Sequence, residues 1–118
     1  MKIILDTSLL ITAMKYKIDI FSELKGNDIF ILNEIVNELE KLKKGKSKTA
    51  SYAKTSLELI KRKAVSSLPS EGKADEELLE YSKRSFVIAT QDFALKERIK
   101  KDGGKVFIIR QKKLLLLD

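Results

Sequence analysis

The stretch "VIATQD", Val87 to Asp92, decides how this chain is read. Three apolar residues run straight into Thr90, Gln91 and Asp92. A pattern of helical spacing, Phe93, Leu95 and Ile99, follows at once. A near-continuous apolar run fits a strand buried on both faces, as in a parallel sheet with helices on either side. Asp92 then has two roles open to it. It can cap the following helix, as Asp does well, or it can hold a metal ion at the rim of the sheet.

Working outward, "KIIL" (Lys2–Leu5) is a similar run that stops at Asp6. "DIFIL" (Asp28–Leu32), "FVIAT" (Phe86–Thr90) and "VFIIR" (Val106–Arg110) complete the set, and "AVSSL" (Ala64–Leu68) is a weaker candidate before the only proline, Pro69. Helical spacing lies between them. Ile18, Phe21 and Leu24 mark one helix, and Ile35, Leu39 and Leu42 the next, with Asn33 as its expected N-cap. A longer helix is expected over about Ser47 to Arg62, another at Leu78, Leu79 and Ser82, and the last ends at the glycine stop "KDGG" (Lys101–Gly104). Strands alternating with helices predict βαβ units, a parallel sheet, and one domain over residues 1–118. The tail Leu114–Leu117 reads either as an edge strand or as an interface patch.

The chain has neither histidine nor cysteine. That excludes imidazole and thiolate metal sites, disulfides, Ser-His triads and histidine bases. Acid–base or metal chemistry must use carboxylates and hydroxyls, and carboxylate oxygens suit magnesium or manganese. Lys and Arg total 24 against 17 Asp and Glu, a net charge of +7, which favours an anionic partner with nucleic acid first. No apolar run approaches the length of about 18 residues needed for a membrane span, so a cytoplasmic protein with no membrane partner is expected.

Four acids stand out. In an open parallel sheet, ligands bind outside the carboxyl ends of the strands. Asp6 and Asp92 fall there, although each could simply cap a helix. Glu38 lies three residues after Ile35 and four before Leu42, so it is expected in their row rather than facing water. Asp75 is followed by Leu78 and Leu79 at the same helical spacings, although an acid in a first turn is favourable in its own right. Carboxylates gathered together repel unless a cation neutralises them. Two divalent ions about 3.5–4 Å apart can activate water and stabilise the leaving oxygen of a phosphodiester. The lysines at 41, 43, 44, 46 and 48 (Lys41, Lys43, Lys44, Lys46, Lys48) crowd one helix end and its loop and are the expected phosphate contacts. Lys96, Arg98, Lys100 and Lys101 are the second choice.

The segments "LDTS", "IVNELEKLKK", "GKADEELLEYS" and "ATQDFALKERIKKDGGKVFIIR", in this order over nearly the whole chain, resemble the PIN-domain ribonucleases. The resemblance implies a three-layer α/β/α fold with a central parallel five-stranded sheet in the order 3-2-1-4-5. It implies magnesium- or manganese-dependent RNA cleavage. Carried over by position, the acidic site is Asp6, Glu38, Asp75 and Asp92, with Thr90 as the hydroxyl beside it and Ser8 as a helper. The form of "VNELEKLKK" with "GKAD" is similar to archaeal proteins related to ribosomal RNA-processing nucleases, so rRNA maturation is the main expectation. Toxin halves of toxin–antitoxin pairs share the same acids and form the alternative. An antitoxin or a ribosome-biogenesis factor is the matching partner, and a homodimer is left open.

Two other functions compete. Asp6, Thr90 and Lys112 lie loosely where a phosphoryl-transfer receiver domain wants an acid, a hydroxyl and a lysine, but the middle strand ends without an acceptor Asp. The third option is a nucleic-acid-binding module that keeps the fold without catalysis.

Overall fold

A computed structural model, which describes residues 1–118, turns the apolar runs into one six-stranded sheet in the order β3-β2-β1-β4-β5-β6. The strands are β1 (Lys2–Leu5), β2 (Asp28–Leu32), β3 (Ser66–Leu68), β4 (Val87–Ala89), β5 (Val106–Arg110) and β6 (Lys113–Leu117). The first five are mutually parallel, in the expected order, and β6 is antiparallel to β5. The sixth strand is an addition to the expected five. Only Gln111 and Lys112 separate β5 from β6, and both have positive φ, 52° and 60°. That is the geometry of a two-residue hairpin turn, and so short a link can only return the chain antiparallel. The leucine tail is therefore an edge strand.

Six helices connect the strands: α1 (Thr7–Lys15), α2 (Ile20–Glu23), α3 (Asn33–Leu42), α4 (Lys48–Arg62), α5 (Ala74–Ser82) and α6 (Phe93–Lys101). Helices α1, α3 and α4 pack on one another, and α5 packs on α6. Right-handed crossovers explain the division. The chain moves from β1 through β2 to β3 in one direction, then jumps back to β4 and continues in the other.

The core explains why the runs do not alternate. Ile3, Ile4 and Leu5 on β1, Ile88 and Ala89 on β4, and Val106 on β5 are fully buried. Leu9, Leu10, Ile35 and Leu39 cover one face, and Leu78, Leu95 and Ile99 join the same continuous core from the other helices. Each such leucine or isoleucine contributes about 1.5–3 kcal/mol by leaving water. Tyr81 forms an edge contact with Phe86, which meets Phe30 in the same manner. The Tyr81 hydroxyl also donates to Pro69 O at 2.7 Å, which ties the β3–α5 connection to α5.

Several local expectations need correction. Helix α1, which follows β1 directly and buries Leu9, Leu10 and Ala13, is an addition to the expected helices. The helix expected around Ile18, Phe21 and Leu24 shrinks to the single turn α2. Asn33 lies inside α3, whose N-cap is Leu32 without a side-chain bond. Ser70 takes over the capping: its Oγ accepts from the Glu34 N–H at 3.0 Å. The glycine stop of α6 forms as expected, with Gly103 at φ 83° and Gly104 N–H donating to Ile99 O.

Strand order reverses between β1 and β4, whose residues Leu5 and Ala89 are in register. The helices that follow these two strands leave toward opposite faces. A crevice therefore opens at their carboxyl ends, where ligands bind in sheets of this kind. Asp6 and Thr90 are the residues placed there, with Asp6 N–H donating to Ala89 O at 2.9 Å.

Candidate active site

Asp6 caps α1 with one oxygen and faces the crevice with the other. Its Oδ1 accepts from Thr7 N–H at 2.8 Å. Its Oδ2 accepts from the Thr90 hydroxyl at 2.6 Å and from Ser8 Oγ at 3.2 Å. Thr90 is fully buried at the end of β4. Its Oγ1 also accepts from Asp92 N–H at 3.0 Å, so one hydroxyl joins the two aspartates. Ser8 Oγ accepts from Gln91 N–H at 3.0 Å and lies 3.3 Å from Thr90 Oγ1. Asp92 caps α6 through Oδ1, which accepts from Leu95 N–H at 3.1 Å.

Gln91 completes this knot in a way the sequence did not signal. Its side-chain amide bonds the backbone of Ile109 in both directions, as donor to the carbonyl at 2.9 Å and as acceptor from the N–H at 2.6 Å. That clasp continues the β4–β5 pairing beyond the end of β4 and fixes the rim on which Thr90 and Asp92 sit. Ser8, expected only as a helper, is the piece that ties α1 to the Thr90–Gln91 backbone.

Burial pushes the Asp6 carboxyl above its ordinary value. The bonds from Thr90, Thr7 N–H and Ser8 pull it down, and the negative charge of Glu38 pushes it up again. The net rise, in spite of three donors, marks a carboxylate short of positive charge. A cation would supply it. The donors around Asp6 are carboxylates and hydroxyls, which suit a hard divalent ion. As they stand, no three acids are grouped closely enough to hold an ion among them.

The four expected acids are thus placed unequally. Asp6 and Asp92 meet at the rim through Thr90. Glu38 sits within electrostatic reach of Asp6, but it is exposed rather than enclosed in the apolar row. At 100° per residue it lies about 80° from the middle of the stripe formed by Ile35 and Leu39, at the border of the buried face. Asp75 is also exposed, in the first turn of α5, and its charge acts on Arg98. Arg98 itself forms a two-pronged pair with Glu76, at 3.1 and 3.2 Å.

The lysines separate along the same lines. Lys41, Lys43, Lys44, Lys46 and Lys48 are all exposed, and only Lys43 has an acidic partner, Glu40 at 2.6 Å. In the second set, Arg98 is held by Glu76, Lys100 donates to Asp118 O, and Lys96 is buried. Lys112 lies 5.8 Å from the centre of the Tyr16 ring and makes no bond to Asp6, which removes the receiver-like arrangement. No helix is long and apolar enough to cross a membrane.

Comparison with known proteins agrees with this geometry. The sequence matches the family described as PIN like domain over residues 3–112. A protein named ribonuclease VapC4 from Methanocaldococcus jannaschii is 35% identical over 125 aligned residues, which take in 95% of this chain and 92% of that one. A solved domain of a functionally unknown protein from the same organism superposes with a TM-score of 0.68 over 99% of both chains. At 18% identity, that likeness is one of fold alone.

Proposed function

This chain belongs to the PIN-like domain family, and on that premise we propose that it is a divalent-metal-dependent endoribonuclease of the toxin type. The observation that carries the catalytic part is the Asp6–Thr90–Asp92 knot at the reversal of strand order, with the Asp6 carboxyl driven upward. Asp6 and Asp92 would be the first ligands of magnesium or manganese, and Glu38 and Asp75, which stand exposed and apart from them, would have to turn inward to complete the set. A bound ion of this class activates water and stabilises the leaving oxygen of a phosphodiester. Thr90 and Ser8 hold the Asp6 carboxylate in one orientation, so the charge is presented to the crevice and not spent on a rotating side chain. The exposed lysines from Lys41 to Lys48 would take RNA phosphates, and a basic protein concentrates a polyanion around its acidic notch.

The relative named as a VapC ribonuclease favours the toxin type over rRNA maturation. rRNA maturation was the leading expectation from the sequence, but it has no comparable support. An antitoxin is then the protein partner to look for, and RNA is the substrate.

The test is cleavage of single-stranded RNA in manganese by the wild type and Asp92→Asn, compared at equal distance from their thermal midpoints. Asn keeps the cap on α6 but lacks the charge. Loss of cleavage with the helix intact is expected. Equal rates would leave Asp92 a cap with no part in catalysis, and absence of cleavage by the wild type itself would return the chain to a non-catalytic binding module.

A further inference from the structure

Beside the acidic knot lies a smaller cavity of about 150 Å³, between the ends of β4 and β5 and the start of α6. Thr90, Gln91, Asp92, Phe93, Lys96 and Arg110 line it. Two of these residues are out of place by ordinary rules. Phe93 is 68% exposed and belongs neither to the core nor to the apolar residues packed against it. Lys96 is the reverse, a lysine only 7% exposed. Lysines are almost never so buried without a close partner.

The two anomalies account for each other. The Lys96 ammonium lies 3.6 Å from the centre of the Phe93 ring. Its ion-pair partner is the exposed Glu97, at 3.4 Å. The residues are three apart on α6, so the helix stacks one over the other. The ring shields the ammonium on one face, and the ammonium holds the ring still. The other face of an otherwise unsupported phenyl ring is left to solvent, one residue after Asp92. The floor is rigid as well, because Gln91 is clasped to Ile109.

The geometry points to a base-stacking subsite: Phe93 receives the base of the nucleotide next to the scissile phosphate of single-stranded RNA. Lys96 is its positioning residue, and Arg110, exposed on the opposite wall, is placed to meet the adjoining phosphate. This inference rests on the nuclease function proposed above. A stacked base needs only an aromatic face, so the subsite accepts any sequence but requires an unpaired strand. A duplex keeps its bases stacked on one another and cannot use it.

The experiment is fluorescence anisotropy of a short labelled single-stranded RNA with the intact protein in EDTA, where cleavage is silent. Phe93→Ala should weaken binding about tenfold, within what one stacked base contributes. Phe93→Trp should bind at least as well as wild type. Lys96→Met, which frees the ring, should fall between wild type and Phe93→Ala. Replacing one nucleotide by an abasic unit at successive positions should weaken the wild type at one position and leave Phe93→Ala indifferent there. Thermal midpoints of the Phe93 variants should match, since little of that side chain is buried. Unchanged binding by Phe93→Ala, or equal loss at every abasic position for both proteins, overturns the subsite. If Phe93→Ala also keeps the wild-type kcat/KM for cleavage, the subsite falls and the nuclease stands. If the wild type neither binds nor cleaves single-stranded RNA, both fall.

Discussion

Asp6→Asn in the presence and absence of manganese is the perturbation with the sharpest expected outcome. A carboxyl whose pKa is higher in the folded chain than in the unfolded one binds its proton more tightly when folded. Stability then falls as pH rises from the unfolded value through the folded one. Burial and Glu38 place Asp6 in that class. At neutral pH and without metal, ionised Asp6 therefore works against the fold. Asn carries no charge and still accepts from Thr7 N–H, so the α1 cap survives. Its amide nitrogen must face Thr90 and Ser8 as a donor, and these hydroxyls can turn to accept. Metal-free Asp6→Asn should thus be at least as stable as wild type near pH 7, and its advantage should disappear toward pH 4. Manganese should reverse the ranking. At a hundred times Kd, binding to the folded state alone adds about 2.7 kcal/mol. For a domain of this size that is a rise of roughly 10 °C in Tm, at about 4 °C per kcal/mol. The assay is thermal denaturation across a manganese titration, with EDTA as the zero. A wild-type Tm that ignores saturating manganese, or an equal rise in Asp6→Asn, would refute the metal role of Asp6.

Two further outcomes follow from the same geometry. Thr90→Val keeps the side-chain shape but leaves Asp6 Oδ2 with Ser8 Oγ as its one remaining donor and Asp92 N–H without a partner, which should cost about 1–3 kcal/mol in urea denaturation and shift the pH dependence attributed to Asp6 further upward. Replacing Lys43, Lys44, Lys46 and Lys48 by Gln should leave the Tm nearly unchanged, since all four are exposed. It should flatten the salt dependence of RNA binding by about 0.7 for each phosphate no longer neutralised, and an unchanged slope would move the RNA path to another face.

The sheet was legible because burial on both faces leaves a mark no surface strand has: Ile3, Ile4 and Leu5, or Val87, Ile88 and Ala89, with no polar residue between. Helix α1 was hidden by its position: it begins one residue after β1 ends, so Leu9, Leu10 and Ala13 follow too closely on the strand's apolar run to stand out as a separate element. The edge strand β6 was ambiguous because four leucines in a row have no period. In the site, Asp6 and Asp92 could be placed from strand ends alone, whereas Asp75 was expected in the row of Leu78 and Leu79 from helical spacing, and here it stands exposed with its charge on Arg98. Glu38 was expected indoors because spacing gives a row but not where the row meets solvent. The Ser8–Gln91 and Gln91–Ile109 bonds were out of reach in principle. They join residues 83 and 18 positions apart, and no local pattern carries such a pairing.

The choice posed by "VIATQD", between a helix cap and a metal ligand, turns out to be a false one, because a carboxylate has two oxygens. At Asp92, Oδ1 accepts the Leu95 N–H, and Oδ2 takes part in no hydrogen bond within the chain. At Asp6, Oδ1 caps α1, and Oδ2 takes the hydroxyls that aim it at the crevice. The cap fixes the side chain's rotamer at little cost, and the second oxygen is what remains for chemistry. Capping also explains how two acids can stand at one rim. The amino ends of α1 and α6 both open there, and each carries the partial positive charge of a helix start. Those two fields offset part of the repulsion between the carboxylates before any ion arrives, and a cation has only the remainder to neutralise. An Asn at either position would keep the cap and leave the helix fields without charges to balance. That is why loss of metal binding without loss of the helix separates the two roles of one residue.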